Sequence, residues 1–294
     1  LIPSLYCSAA EDHKLAVVIS KNILPYKEAV EGLNGLLSPK KNLTLKTYIL
    51  ENFPNKDVSI LKKELLEKNY KLFIAIGPEA LHFFSVEFSE NDVPVVFSMV
   101  LNPEHIIQPK KDVCGISLQI PVERQLDEIV RVLPSLKRLG LLFDPKGNRV
   151  FFKVASEKGI AKGLKIVPLR VSSKKEIPGM LKSNWHNVDC IWLIPDRSVI
   201  SESIVQYIIK EALLKEIPSI GYNRFFYETG ALISFIFDYR ELGIQTGRQV
   251  LLFMENETCQ NQSPVFQTWI NKGALKTLKN ALQEDFLNIE KLSR

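Results

Sequence analysis

Short, continuously apolar runs alternate with amphipathic stretches along almost the whole chain, and this alternation restricts the folds open to it. Strand candidates are Leu15–Ile19, Leu43–Ile49, Leu72–Ile76, Val93–Phe97, Val113–Ser117, Arg138–Phe143, Leu164–Val171, Val188–Ile194, Pro218–Gly221 and Ala231–Phe237. Runs such as Leu72-Phe73-Ile74-Ala75-Ile76 and Cys190-Ile191-Trp192-Leu193-Ile194 contain no polar residue. A strand apolar on both faces belongs in a parallel sheet covered by helices on each side.

The intervening segments read as those helices. After Pro121, the residues Val122, Leu126, Ile129, Val130 and Leu133 share one face. After Ser201, Ile204, Ile208, Ile209 and Ala212 do the same, and near the end Ile244, Gly247, Leu251 and Met254 step by three and four. Pro78 suits a first helical turn, Asp238 and Ser198 suit caps, and Pro134 closes the helix that Pro121 opens. The pattern is that of right-handed βαβ units in an α/β, doubly wound fold. With 294 residues and about 150 per domain, two sheets of about five strands fit better than one of ten.

Several function classes lose their support. The sequence has no G-x-G-x-x-G, no P-loop, no G-x-S-x-G and no H-E-x-x-H, so no catalytic residues, cofactor or metal ligands are assigned. Asp196 and Asp238 offer a carboxylate pair without a reaction to attach to it. The net charge of +5 comes from lysine doublets scattered among acidic residues, which reads as a solvated surface and gives no sign of nucleic-acid binding. No uncharged run reaches the roughly 18–20 residues of a membrane helix.

Residues 1–10, LIPSLYCSAA, carry no charge, and Ser8 and Ala10 stand where a signal peptidase expects small residues. They read as a signal-peptide remnant or a disordered leader; a lipid on Cys7 is disfavoured by the bulky Tyr6 before it. Removing Cys7 leaves Cys114, Cys190 and Cys259, an odd number that argues against a disulfide framework. Cys114 and Cys190 sit in apolar runs as small hydrophobes.

Ligands of parallel α/β sheets bind beyond the C-terminal strand ends. There this sequence places Ser20, Gly77-Pro78, Ser98, Asn102, Ser117, Asp144, Asp196-Arg197-Ser198, Tyr222-Asn223 and Asp238. Hydroxyls and helix-start N–H groups suit a carboxylate, a carboxylate suits an ammonium, and aromatic rings suit a flat body, so the set fits a small zwitterion. Each residue taken singly reads first as an ordinary turn or cap former, and only the set points to a ligand.

Five segments in order carry a family resemblance. They are VPVVFSMVLNP (Val93–Pro103), DVCGIS (Asp112–Ser117), LPSLKRLGLLFDP (Leu133–Pro145), IPDRSVI (Ile194–Ile200) and GALISFIFDYRELGIQTGRQV (Gly230–Val250). The chain resembles, from about Lys14 onward, the ABC-transporter substrate-binding proteins of the periplasmic-binding type I fold, in the branch that includes tryptophan- and tyrosine-type binders. That resemblance implies two Venus-flytrap lobes joined by a hinge, residues 14–117 with 238–294 and residues 118–237. It implies a monomer that is exported to the periplasm or an equivalent extracytoplasmic space, holds a small molecule between the lobes and delivers it to a membrane permease. By matched position, Ser98, Asn102, Ser117, Asp196 and Asp238 would line the cleft, with Asp196 facing a ligand ammonium and Ser20 and Gly77-Pro78-Glu79 at the other end. Arg197, Tyr222 and Asn223 complete the candidate set. Two departures count against an amino acid: Pro78-Glu79 stands where relatives carry a hydroxyl residue, and Asn102 replaces a common Asp. A sensory module reporting to a membrane receptor, a cytoplasmic α/β enzyme and a repressor effector domain are the alternative readings.

Overall fold

Among the described residues, eleven strands fall into two sheets, and the apolar runs form their centres. The computed structural model describes residues 12–40, 42–53, 58–90, 93–107, 112–198 and 200–292; the expected leader, with Cys7, lies outside them. The first βα series is β1 (His13–Ile19), α1 (Leu24–Leu37), β2 (Leu43–Ile49), α2 (Val58–Glu67), β3 (Leu72–Ile76), α3 (Pro78–Glu87), β4 (Val95–Val100) and β5 (Val113–Ser117). The second runs α4 (Val122–Val132), β6 (Arg138–Phe143), α5 (Pro145–Ala161), β7 (Lys165–Arg170), α6 (Ile177–Asn184), β8 (Cys190–Leu193), α7 (Glu202–Leu214), β9 (Ser219–Gly221), α8 (Arg224–Thr229) and β10 (Ile233–Ile236). The chain closes with α9 (Tyr239–Asn256), β11 (Gln267–Ile270), α10 (Lys272–Thr277) and α11 (Phe286–Leu292).

The first sheet has the order β2-β1-β3-β4-β5 and is wholly parallel. Its inner strands β3 and β4 are buried at every position, whereas the edge strand β2 is largely exposed along LTLKTYI. The second sheet has the order β11-β10-β9-β8-β6-β7, parallel except for the antiparallel pair β10–β11. Trp192, Leu139, Leu141 and Phe143 fill one side of it, and Ile191, Leu193 and Leu142 fill the other.

The chain divides into two compact units. One holds the described residues up to Gln119 with Asp238–Val265, and the other holds Ile120–Phe237 with Phe266 onward. Residues 266–294 were expected with the first unit and belong instead with the second. There β11 pairs with β10, Thr268 Oγ1 donates to Glu128 (2.6 Å), Asp285 accepts from the Ser135 hydroxyl and N–H, and Leu278 and Ile289 enter the core. The sequence hides β11 because Gln267-Thr268-Trp269-Ile270 is short and only Ile270 is buried.

Two further expectations are corrected. Cys114 in β5 is bonded to Cys259, with their Cα atoms 5.9 Å apart, and only Cys190 is a free buried thiol among the described residues. The same stretch adds main-chain ties: Gln262 N–H donates to Gly115 O and Ser117 N–H to Gln262 O. The buried face of α9 is Leu242, Gly243, Gln245, Thr246, Gly247, Gln249, Val250 and Phe253; of the expected stripe only Gly247 lies on it, and Ile244, Leu251 and Met254 are half-buried. Here α9 packs on α1 so closely that a Cβ on Gly243 would overlap the Ala29 carbonyl, and one on Gly32 the Arg240 carbonyl. Glycines bring the two backbones together and Leu33 and Leu36 of α1 lie against Gly247, while polar residues of α9 are satisfied within the unit; Thr246 Oγ1 donates to Leu242 O, and Gln245 Nε2 to Ser263 O.

Gly243→Ala is therefore expected to destabilise the first unit by about 1–3 kcal/mol, because backbone and not a flexible side chain must move. Gly35→Ala, on the same helix as Gly32 but with open space around it, is expected to stabilise by about 0.5–1 kcal/mol. Urea unfolding of both variants checks the pair, and equal effects would contradict the close crossing.

Candidate functional site

In the first unit, the turn from β3 to α3 gathers several strand-end residues. Gly77 adopts φ +96°, and a Cβ there would stand 2.5 Å from Ser20 Oγ and 2.7 Å from the Tyr26 hydroxyl oxygen. Gly77 N–H donates to Ser98 O, which ties the ends of β3 and β4 together. Pro78, the first residue of α3, has no N–H to offer. Ser20 Oγ, almost fully buried, accepts from Ala80 N–H (2.9 Å). Burial opposes the charge on Glu79, but its own backbone N–H, Lys21 Nζ at 3.1 Å and the Ser20 hydroxyl together hold its carboxyl below the usual range. The start of α3 thus has its donors taken up by the chain itself.

Tyr26 was not singled out from sequence, although it follows Leu24-Pro25 just beyond the first strand. Burial, then the Glu79 charge and then Tyr239 push its phenol up to about 12. Ser98 Oγ is buried without a hydrogen-bond partner, and the next residue, Met99, holds a left-handed φ of +59° where β4 bulges against β5. Asn102 is half-buried ahead of a 3-10 turn over Pro103–His105. Ser117 donates from Oγ to Leu101 O and accepts from Gln119 N–H, so it organises the chain leaving β5. Asp238 is exposed, and its Oδ1 accepts from Glu241 N–H at the start of α9.

In the second unit, Asp196 is the centre of the strand ends. Oδ2 accepts from Asp144 N–H (2.8 Å) and Asn148 Nδ2 (2.7 Å), and Oδ1 accepts from Ser198 N–H (3.1 Å) and Ser198 Oγ (2.6 Å). A carboxylate offers about four acceptor sites, and here four donors occupy them. Asp196 therefore ties the ends of β6 and β8 together, and an ammonium would have to displace one of those donors. Asn148, whose backbone departs from helical angles inside α5, is the partner that sequence reading missed. Ser198 serves Asp196 and caps no helix; Ser201 stands at the start of α7. Asp144 caps α5 through Lys146 N–H, which with the Ser198 hydroxyl holds its carboxyl below the usual range against the opposing effect of burial.

The Tyr222 ring lies 4.5 Å from that of Phe226 with their planes tilted by 46°, and burial and then the Asp196 charge push its phenol up to about 12. Asn223 accepts from Phe226 N–H as the cap of α8, and Arg197 is exposed in the turn beyond β8. No group of three His, Cys, Asp or Glu among the described residues is arranged to hold a metal ion.

Two outcomes follow from these surroundings. Asp196→Ala leaves buried donors unpaired and is expected to cost about 1–3 kcal/mol in urea unfolding; an unchanged midpoint would contradict its tying role. Both phenols are protonated in the folded state above the unfolded value of about 10. The stability they contribute is complete below that pH and is lost as pH rises toward about 12. In a near-ultraviolet tyrosinate titration, Tyr26→Phe and Tyr222→Phe should each delete a late-ionising component; deletion of an early one would contradict the burial.

No curated protein sequence matches the chain. Solved structures do. A ligand-free, open substrate binding protein with adhesive properties from Clostridium difficile aligns with TM-score 0.75 at 20% identity, over 90% of this chain and 94% of that one. A protein from Streptococcus pneumonia in complex with L-Trp aligns with TM-score 0.58 at 19% identity, over 93% and 98%. A periplasmic ribose ABC transporter protein from Conexibacter woesei aligns with TM-score 0.62 at 12% identity, over 95% and 98%. These likenesses show the periplasmic-binding type I fold. The family model described as ABC transporter substrate binding protein matches residues 28–291, and the chain belongs to that family.

Proposed function

We propose that the chain is an extracytoplasmic binding protein that takes up a small, oxygen-rich solute at its strand ends and delivers it to an ABC importer's permease. Family membership over residues 28–291 carries the transport reading. The Cys114–Cys259 bond supports the location, since structural disulfides persist in oxidising compartments. The protein acts as a monomer and performs no catalysis.

The solute class follows from which polar groups are spent. The donors at the start of α3 are taken by Ser20 and Glu79, so a carboxylate has no seat there. Asp196 already accepts four hydrogen bonds, so an ammonium has none there. The groups left at the strand ends include the Tyr26 and Tyr222 phenols, the Ser98 hydroxyl, the Asn102 amide and the Arg197 guanidinium, beside the exposed Asp238 carboxylate. Donors predominate among them, and a solute rich in hydroxyl or carbonyl oxygens is the natural counterpart.

Thermal-shift measurements test this with polyols, sugars and hydroxy acids set against L-tryptophan and tryptamine. An oxygen-rich solute should stabilise by about 2.7 kcal/mol at a hundredfold excess over Kd, and tryptamine should give no shift. A shift with tryptamine that Asp196→Asn abolishes would overturn the solute class. The absence of a shift with any solute would count against transport.

A further inference from the structure

The second unit carries a groove at the ends of β6 and β7 that none of the candidate site residues named above lines. It has a volume of about 670 Å³ and is lined by Phe143, Arg149, Phe152, Lys153, Glu157 and Arg170, among others. Arg149, Phe152, Lys153 and Ser156 repeat at three- and four-residue steps and so form one stripe of α5. Arg170 ends β7, the edge strand of the sheet. The opposite stripe of α5 faces the core, where Phe151 packs edge-on to Trp192 at 5.4 Å and Ala155 is fully buried.

The floor is aromatic and the rim is cationic. Phe143 and Phe152 stack at 4.9 Å with their planes 9° apart, and the Arg170 guanidinium lies 5.7 Å from the Phe152 ring. Neither Arg149 nor Arg170 has a carboxylate partner among the described residues. The nearby acid, Glu157, reaches Lys153 only at 4.0 Å, the outer limit of an ion pair. Three cations against one carboxylate leave an excess of positive charge beside the partly exposed Phe152 ring, with Phe143 buried against it. Arginine pairs planar oxyanions through two parallel hydrogen bonds and stacks on flat rings. The volume lies within the range of about 300–1,000 Å³ usual for small-molecule sites.

We propose that this groove is a second binding site, distinct from the Asp196 cluster, for a small aromatic anion. The ring sits against the partly exposed Phe152, and its acidic group lies between Arg149 and Arg170 with Lys153 adding long-range attraction. The site stands independently of the solute class proposed for the strand ends.

Fluorescence titration of the whole chain with anilinonaphthalene sulfonate, an aromatic anion, tests the site against its uncharged relative N-phenylnaphthylamine. The sulfonate should saturate one site and bind about tenfold or more tightly than the neutral probe. The double substitution Arg149→Gln, Arg170→Gln should weaken it by a similar factor while leaving the melting temperature unchanged. The charge-matched control Lys272→Gln, Lys276→Gln on α10 should bind like the wild type. Equal binding of both probes, or equal loss in the control, would overturn the proposal. So would displacement of the sulfonate by a solute that the thermal-shift panel shows to bind at the strand ends.

Discussion

The ends of parallel strands and the starts of the helices that follow them leave main-chain N–H groups without partners. This chain satisfies many of them with its own side chains. Asp196 collects donors from the ends of β6 and β8, Asp144 caps α5, Ser20 receives the Ala80 N–H, and Asn223 and Asp238 cap α8 and α9. What a ligand meets depends on that internal accounting more than on the residue types at the strand ends. A carboxylate already saturated cannot serve an ammonium, and a helix start already capped cannot serve a carboxylate.

The same chain must also make two units while crossing from one to the other, and short-range geometry sets where each piece belongs. After β10 in the second unit, α9 returns to the first, and the absence of a Cβ at Gly32 and Gly243 lets it lie against α1. Its following segment is then held to β5 by the Cys114–Cys259 bond and by Gln262, before β11 rejoins the second sheet beside β10. The stretch leaving β5, organised by Ser117, and the stretch around Gln262 are thereby fastened at one strand.

The inner strands were legible because continuous burial leaves a continuous apolar run, the edge strands β2 and β7 from interspersed β-branched and apolar residues, and the two-sheet division followed from the number of strands. The family was legible from ordered segments such as Leu133–Pro145 and Gly230–Val250. Strand β11 was not, since an antiparallel edge strand of four residues needs no apolar run. The α9 face was misread because glycine and internally bonded Thr246 bury as well as leucine does. An odd cysteine count says nothing about which two sulfurs meet, so Cys114 read as a small hydrophobe. At the site, Asp196 was correctly placed at a strand end, but its role depends on Asn148 and the Asp144 N–H, about fifty residues away in sequence. Tyr26 escaped notice because its surroundings, Gly77 and Glu79, come from a different βα turn.

Hydrogen–deuterium exchange, with and without the solute that gives the largest melting shift, tests the central claim most directly. Binding at the strand ends should protect peptides covering residues 20–26, 77–80 and 98–103 or residues 144–148, 196–198 and 222–223. Protection found only away from these turns would contradict a solute site at the strand ends.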